Sequence, residues 1–301
     1  MTRGSPRPGL IRILTWNIFH GLDKPPDSSL LTWRSRLLGV TESDATHAQV
    51  NRSLRVEFAA MLASYEWDVA LLQEAPPRWL SALARGARAT AAASALTARN
   101  LGAPLRAWLA ERNPDLMGSW EGGSNQLLVR PPWRIEETRR LTLTRRPERR
   151  RMLWARLRGP DGAALAVANM HLSAWDSPKA GREAILAAEH AVAWAGEDPL
   201  VFGGDLNAPN TFRDLRERFG LLPEPEPETI EHLLGRGVDV VEPPRPLPAE
   251  ARELAGPGGR QLRLSDHPPV IACFALPERA PGAWSERRPR RAVRGAEAGP
   301  A

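Results

Sequence analysis

Five short apolar runs in this chain each end on polar side chains of types that could do chemistry together. Ile13-Leu14-Thr15-Trp16 runs into Asn17, Val69-Ala70-Leu71-Leu72 into Gln73-Glu74, and Ala166-Val167-Ala168-Asn169-Met170 into His171. Leu200-Val201-Phe202-Gly203-Gly204 runs into Asp205-Leu206-Asn207, and Leu264-Ser265 leads to Asp266-His267 ahead of an apolar run from Val270. Polar residues just beyond strand ends can converge at one edge of packed α/β and sandwich folds, where a rigid scaffold presents them to a ligand.

That inventory suits phosphoester hydrolysis with a hard divalent cation. Magnesium takes oxygen ligands and is commonly held by one or two carboxylates, with substrate phosphate oxygens and water completing the shell. Glu74 and Asp266, with Asn17, supply such a site for Mg2+ or Mn2+. The reaction also needs a carboxylate to orient or deprotonate water, donors for charge growing on the phosphoryl oxygens, and help for the departing oxygen. Asp205, Asn207, His171 and His267 are the right types. A carboxylate such as Glu74, placed at the end of a run with four apolar residues, is costly when buried unless it is paired or holds a metal.

The blocks Thr15-Trp16-Asn17-Ile18, Leu72-Gln73-Glu74, Asn169-Met170-His171-Leu172, Gly204-Asp205-Leu206-Asn207-Ala208 and Ser265-Asp266-His267-Pro268-Pro269-Val270 occur in this order. Together they resemble the endonuclease/exonuclease/phosphatase superfamily over roughly residues 10–276. The resemblance implies a four-layer α/β/β/α sandwich of two packed mixed β-sheets flanked by helices, and metal-dependent hydrolysis of a phosphodiester or phosphomonoester. Position by position, it makes Glu74 the principal metal ligand, with Asn17 in the metal site and Asp266 beside it. It makes Asp205 the group that orients or deprotonates water, Asn207 and His171 phosphate binders, and His267 the stabiliser of the charged phosphoryl group. One block departs from the pattern: Ile230-Glu231-His232 stands where the family has Ile-Asp-His or Ile-Asp-Tyr. Glu231 is the expected support of His267, one methylene longer than the family's aspartate.

Other residues near these blocks have plainer readings. His20, His47, His190 and His232 carry no such context and read as structural. Trp16 and Trp175 border the expected site, where stacking on a substrate and ordinary core packing both fit. Gly122-Gly123-Ser124-Asn125 reads equally as a turn or as a segment approaching the pocket.

The charge of the chain bears on the substrate. Its net charge is +6, but residues 139–158 carry nine arginines against Glu148, and residues 278–301 six arginines against three glutamates, leaving the rest at −5. Basic character thus lies in one internal segment and one tail, while the body is mildly acidic, as a cation site would make it. Arg145, Arg146, Arg149, Arg150 and Arg151 are the candidate contacts to a nucleic-acid substrate. Only Lys24 and Lys179 are lysines among the 41 basic residues, a compositional bias that also reads the cluster as a solvated turn. A nuclease-like phosphodiesterase is the leading expectation. A phospholipid or sphingomyelin phosphodiesterase, a small-molecule phosphatase and a catalytically inactive binding module are the alternatives.

Positioning such a site requires a mixed α/β domain. With 42% hydrophobic residues the chain can fill a sizeable core, which argues against collagen-like, coiled-coil and wholly disordered classes. Lone Cys273 makes no internal disulfide and no thiolate cluster. No apolar run is long enough for a secretory signal or membrane span, so a cytoplasmic protein is expected. Strands are expected at 11–18, 69–73, 126–129, 134–144, 151–157, 164–170, 200–202, 238–241 and 270–274, too many for one small sheet. Helices are expected at 48–66, with Leu54, Phe58, Met61, Leu62 and Tyr65 at helical spacing, and at 178–195, with Ile185, Leu186, Ala188, Ala193 and Trp194. Residues 77–112 read as two helices around 98–102, and a further helix is expected at 211–219. Residues 1–9 and 277–301 read as disordered tails on a domain spanning 10–276.

Overall fold

Period-two burial dictates the layering. In Leu10–Asn17 and Val69–Ala75, Ile13, Val69 and Leu71 point into one core while Leu14, Trp16, Ala70 and Leu72 point into another. Strands buried on both faces must lie between two layers. The computed structural model describes residues 9–98, 101–223 and 230–277, so most of both proposed tails lies outside the described residues.

Two mixed sheets pack face to face. The six-stranded sheet runs Asp239–Pro246, Val270–Ala275, Leu10–Asn17, Val69–Ala75, Ser124–Val129, Ala91–Leu96, and the five-stranded sheet runs Glu231–Arg236, Leu200–Asp205, Ala164–His171, Arg150–Arg158, Arg134–Thr144. One apolar cluster, with Ile13, Leu71, Leu153, Val167, Val201 and Phe274, fills the space between them. A second lies outside the first sheet under Phe58, Leu62 and Leu83, and a third outside the second sheet under the helix Ser177–Ala195. Three cores separate four layers, as the family resemblance implies.

The 178–195 expectation holds within one residue, with a different face inward. Ala180, Ala184, Ala187, Ala188, Ala191 and Ala195 are buried, whereas Ala193 is exposed and Ile185 and Trp194 are only partly covered. Small residues let the helix lie close on the sheet, and Asp176 caps its start by accepting from the Lys179 amide at 2.9 Å. The 211–219 helix is present as Phe212–Phe219.

Four expectations need correction. The 48–66 helix spans only Arg55–Ser64, because Ala48–Gln49 pairs with Glu42–Ser43 and the Asn51 side chain is bound to the Ser35 carbonyl and to Asn113. Within 77–112 the alanine-rich run Ala91–Leu96 is an edge strand paired with Ser124–Val129, with Ala93 and Ala95 turned inward; pairing and packing override alanine's helix propensity. Helices do form on either side, at Leu80–Gly86 and Ala103–Arg112. The strand Glu231–Arg236 was not expected, since its polar start hides the short run Leu233-Leu234. The 238–241 strand extends over Asp239–Pro246, and its prolines are tolerated because it lies at the sheet edge.

Candidate active site

Register places the chemistry. Asp205 pairs with His171 on its parallel neighbour and with Glu231 on its antiparallel neighbour, so these three form one row across the end of the five-stranded sheet. Gly204 permits that approach: a Cβ there would stand 1.9 Å from the Met170 carbonyl oxygen, and its φ of +126° is one that side chains rarely adopt. The facing sheet ends in Asn17, paired with Gln73, and Glu74 follows at a break in the ladder between Leu72 and Ala75. Six of the seven described non-glycine residues with positive φ, namely Phe19, His20, Glu74, Trp175, Asn207 and Ser265, sit at or just beyond these strand ends. Backbone held in sparsely populated conformations costs about 1–3 kcal/mol per residue and concentrates at functional sites.

The side chains from both sheets meet around Asp205. Asn17 Nδ2 donates to Asp205 Oδ2 at 3.1 Å, and Asn207 Nδ2 donates to Oδ1 at 2.6 Å. His171 Nε2 lies 3.5 Å from Asp205 Oδ2, while its Nδ1 lies 3.6 Å from Glu74 Oε1. His20 Nε2 is 3.3 Å from the other Glu74 oxygen. His267 Nδ1 is 2.5 Å from Glu231 Oε1, and its Nε2 is 3.5 Å from Asp266 Oδ1. The longer side chain of Glu231 therefore reaches the histidine directly.

Electrostatics divide these groups into distinct states. Burial pushes the Asp205 carboxyl up to about 7, and the charges of Glu231 and Glu74 add to this against His267 and the Asn17 bond. Burial opposes the charged form of His267, but the hydrogen bond and charge of Glu231, with Asp266 and Asp205, outweigh it and lift the imidazole to about 9. His171 goes the other way: burial, then the charges of Arg150, His267 and His20, hold it well below the ordinary histidine value. Near neutral pH the site thus presents a carboxylate of raised basicity, a charged donor at His267 and a neutral imidazole at His171. Pairs of titratable groups pushed apart in this way mark acid and base roles.

A hard divalent cation suits the donor set. Glu74 lies partly exposed between two imidazoles at over 3 Å, and the carboxylates of Asp205, beside His171, and Asp266, beside His267, lie at the same end of the sheets. Asp205, Glu231 and His267 also place ligand atoms within 4.8 Å of one another. In that group Glu231 is already engaged by His267, so the Glu74 side is the better fit for magnesium.

All eight sequence-derived site residues lie at this end of the two sheets, and the contacts above link them into one constellation. His20, read as structural, joins them against Glu74. Its signal was faint: it stands three residues after Asn17 without belonging to that block. Arg150, assigned to the basic turn, is largely buried, pairs with Glu148 at 2.7 Å and has its charge felt at His171. Trp16 is core, and its indole donates to the His267 carbonyl at 2.9 Å, while Trp175 is fully exposed. A Cβ on Gly123 would stand 3.3 Å from the Glu74 Cα, so the 122–125 segment does approach the site. His47 pairs with Glu253, His190 packs on Trp194 and His232 on Phe212, all structural roles.

Comparison with known proteins agrees with this fold. The model of the Endonuclease/Exonuclease/phosphatase family matches residues 14–267. No curated protein sequence matches the chain. Among solved structures, an endonuclease/exonuclease/phosphatase from Bacteroides vulgatus is similar with a TM-score of 0.57 and 18% identity, over 89% of this chain and 99% of that one. A mannosyl-6-phosphatase from Bacteroides thetaiotaomicron gives 0.56 at 14% identity, over 88% and 100%. The human Nocturnin catalytic domain with bound sulfate gives 0.56 at 15%, over 90% and 95%. At these identities the likeness is one of fold.

Proposed function

Because the chain belongs to the endonuclease/exonuclease/phosphatase family, we propose that it is a divalent-metal-dependent phosphoester hydrolase, and that a nuclease-like phosphodiesterase is its most direct form. The observation that carries this reading is the row His171–Asp205–Glu231 facing Asn17 and Glu74 across the two sheets, with His267 joined to Glu231.

Each residue then has a task. Glu74, Asn17 and Asp266 would hold the cation, which when bound polarises a phosphoryl oxygen and eases departure of the leaving oxygen. Asp205 orients a water and takes its proton; its raised basicity favours the transfer, and the amides of Asn17 and Asn207 fix the carboxylate. His267, kept charged by Glu231, donates to the phosphoryl oxygen on which negative charge grows. Neutral His171 holds one ring N–H available to the phosphate.

An anionic substrate is supported by a groove lined by Thr142, Arg145, Arg149 and Arg151, and by the charge of the adjoining Arg150, which is felt at His171. Small-molecule phosphate esters, such as the sugar phosphate named for one structural relative, share the chemistry but gain little from that groove. Screening purified protein with magnesium against plasmid DNA, abasic duplex, RNA, lipid phosphodiesters and sugar phosphates tests the reading. Cleavage of none of these under any divalent ion would reject it. Lipid headgroup esters belong in the panel because of a separate surface feature.

A further inference from the structure

Three short helices beside the site carry an outward face that a soluble surface does not need. Trp33–Leu38, Ala103–Arg112 and Pro114–Glu121 adjoin one another: Asn113, between the last two, donates its side-chain amide to the Arg36 carbonyl at 2.8 Å, and Arg106 stacks on Trp120 at 4.6 Å. Trp33, Leu37, Leu105, Trp108, Leu116 and Trp120 are exposed, with the three tryptophans at 66%, 52% and 45%. Spacings of four, three and four residues put each helix's exposed apolar side chains on one stripe.

Charge on these helices is sorted by direction. Arg34, Arg36 and Arg112 face outward, and Arg112 lies 3.7 Å over Trp108. The three acidic residues are all paired: Glu111, still partly exposed, and the buried Glu121 with Arg78, and Asp115 with Gln49 and Ser35. The face is therefore apolar and cationic together.

It is also close to the catalytic end. A Cβ on Gly118 would touch the His20 side chain at 3.8 Å, and His20 contacts Glu74. Leu116 and Trp120 stand two residues either side of Gly118, which places them on the opposite side of the same helix. One helix thus separates the apolar stripe from the loop that touches Glu74.

We propose that this face docks on an anionic lipid bilayer, lodging its tryptophans and leucines at the headgroup boundary and its arginines against lipid phosphates. Tryptophan and arginine at an apolar stripe suit that interface, and no described helix is long and apolar enough to cross a membrane, so the contact is peripheral. A second copy of the chain would set arginines against arginines. The C-terminal segment 278–301, with six arginines and three glutamates, carries the wrong sign. A nucleic acid would match the arginines and leave the leucines uncovered. The proposal deepens the hydrolase reading, since docking would hold the site within one helix of a surface rich in phosphoesters, although docking itself does not depend on catalysis.

Cosedimentation of the full chain with vesicles tests it, using phosphatidylcholine alone and phosphatidylcholine mixed with phosphatidylserine. Binding to the mixed vesicles is expected, with a blue shift of tryptophan emission and weakening by salt. Replacing Arg36 and Arg112 with Gln should lower partitioning about fivefold per charge. The double variant Trp108→Ala/Trp120→Ala should lower it by roughly tenfold or more and diminish the blue shift. Hydrolysis of bis(p-nitrophenyl) phosphate with magnesium, unchanged in all variants, serves as the folding control. Absent binding to anionic vesicles, binding that ignores these substitutions, or self-association abolished by the tryptophan variant would each overturn the proposal. If wild-type protein binds vesicles but never hydrolyses the soluble ester, the hydrolase reading fails and the docking surface stands.

Discussion

Asp205 illustrates how a residue proposed to serve chemistry can oppose stability. A carboxyl lifted to about 7 favours its protonated form in the folded protein, so its charged form is destabilising above that pH. Asp205→Asn is accordingly expected to lose roughly 10²–10⁴ in kcat while leaving the cation-free fold equally or more stable at pH 8; kinetics and urea unfolding of the same variant check both halves. Glu231 raises both Asp205 and His267, so removing its charge acts on both. In Glu231→Gln the acidic and basic limbs of the kcat/KM profile should both move to lower pH, with a loss at pH 8 of about tenfold, less than that of His267→Ala. A profile displaced in the alkaline direction, or a loss equal to His267→Ala, would remove Glu231 from its supporting role. Asp205 was legible because it sits directly after an apolar run, whereas Glu231 was reached only through the resemblance carried by Ile230-Glu231-His232. The sequence did not carry His20 or Arg150, whose place depends on loop path and hairpin geometry rather than on position after a strand.

At the scale of elements, loops are tied down by buried polar groups that the apolar pattern cannot reveal. Asp23 bridges the strand-end loops, pairing in the backbone with Leu264 and accepting from the Val50 amide at 3.0 Å. Burial lifts its carboxyl to about 7, opposed by the Val50 bond and helped by Asp115. Between about pH 4 and 7 the folded protein therefore binds this proton more tightly than the unfolded chain, and stability falls as pH rises through that window, by up to about 4 kcal/mol. Asp23→Asn keeps an acceptor for Val50 and should flatten that slope, as urea unfolding across pH 4–8 would show; an unchanged slope would assign it elsewhere. The central strands were legible because periodicity and length agree, and the long alanine-rich helix by composition and length, although its apolar spacing pointed to the wrong face. Ala91–Leu96 was not legible, since alanine signals helix until an edge position claims it, and Glu231–Arg236 was masked by the polar residues at its start. Sequence-level rules thus failed partly where the site begins.

Across the whole molecule, the distribution of charge separates two surfaces. The arginine groove follows the hairpin between the strands Arg134–Thr144 and Arg150–Arg158, whereas the aromatic and arginine face lies on the three short helices. Within the hairpin, Arg149 is spent on the carbonyls of Leu96, Thr97 and Ala98, so its loss should loosen that junction. Replacing Arg145 and Arg151 with Ala in an Asp205→Asn background should flatten the salt dependence of duplex DNA binding by roughly two units of slope if both touch phosphates. An unaltered slope would return them to the solvated turn that the arginine-rich composition also explains. Either substrate still requires the same centre, and there the account rests on Glu74. The most direct measurement is hydrolysis of a soluble phosphodiester by wild-type protein and Glu74→Gln, titrated with magnesium from excess chelator, with circular dichroism confirming the fold of both. Turnover that is absent in chelator, restored by magnesium, and largely lost in Glu74→Gln is the predicted result. Undiminished turnover in excess chelator, or a Glu74→Gln variant with wild-type metal response, would contradict it.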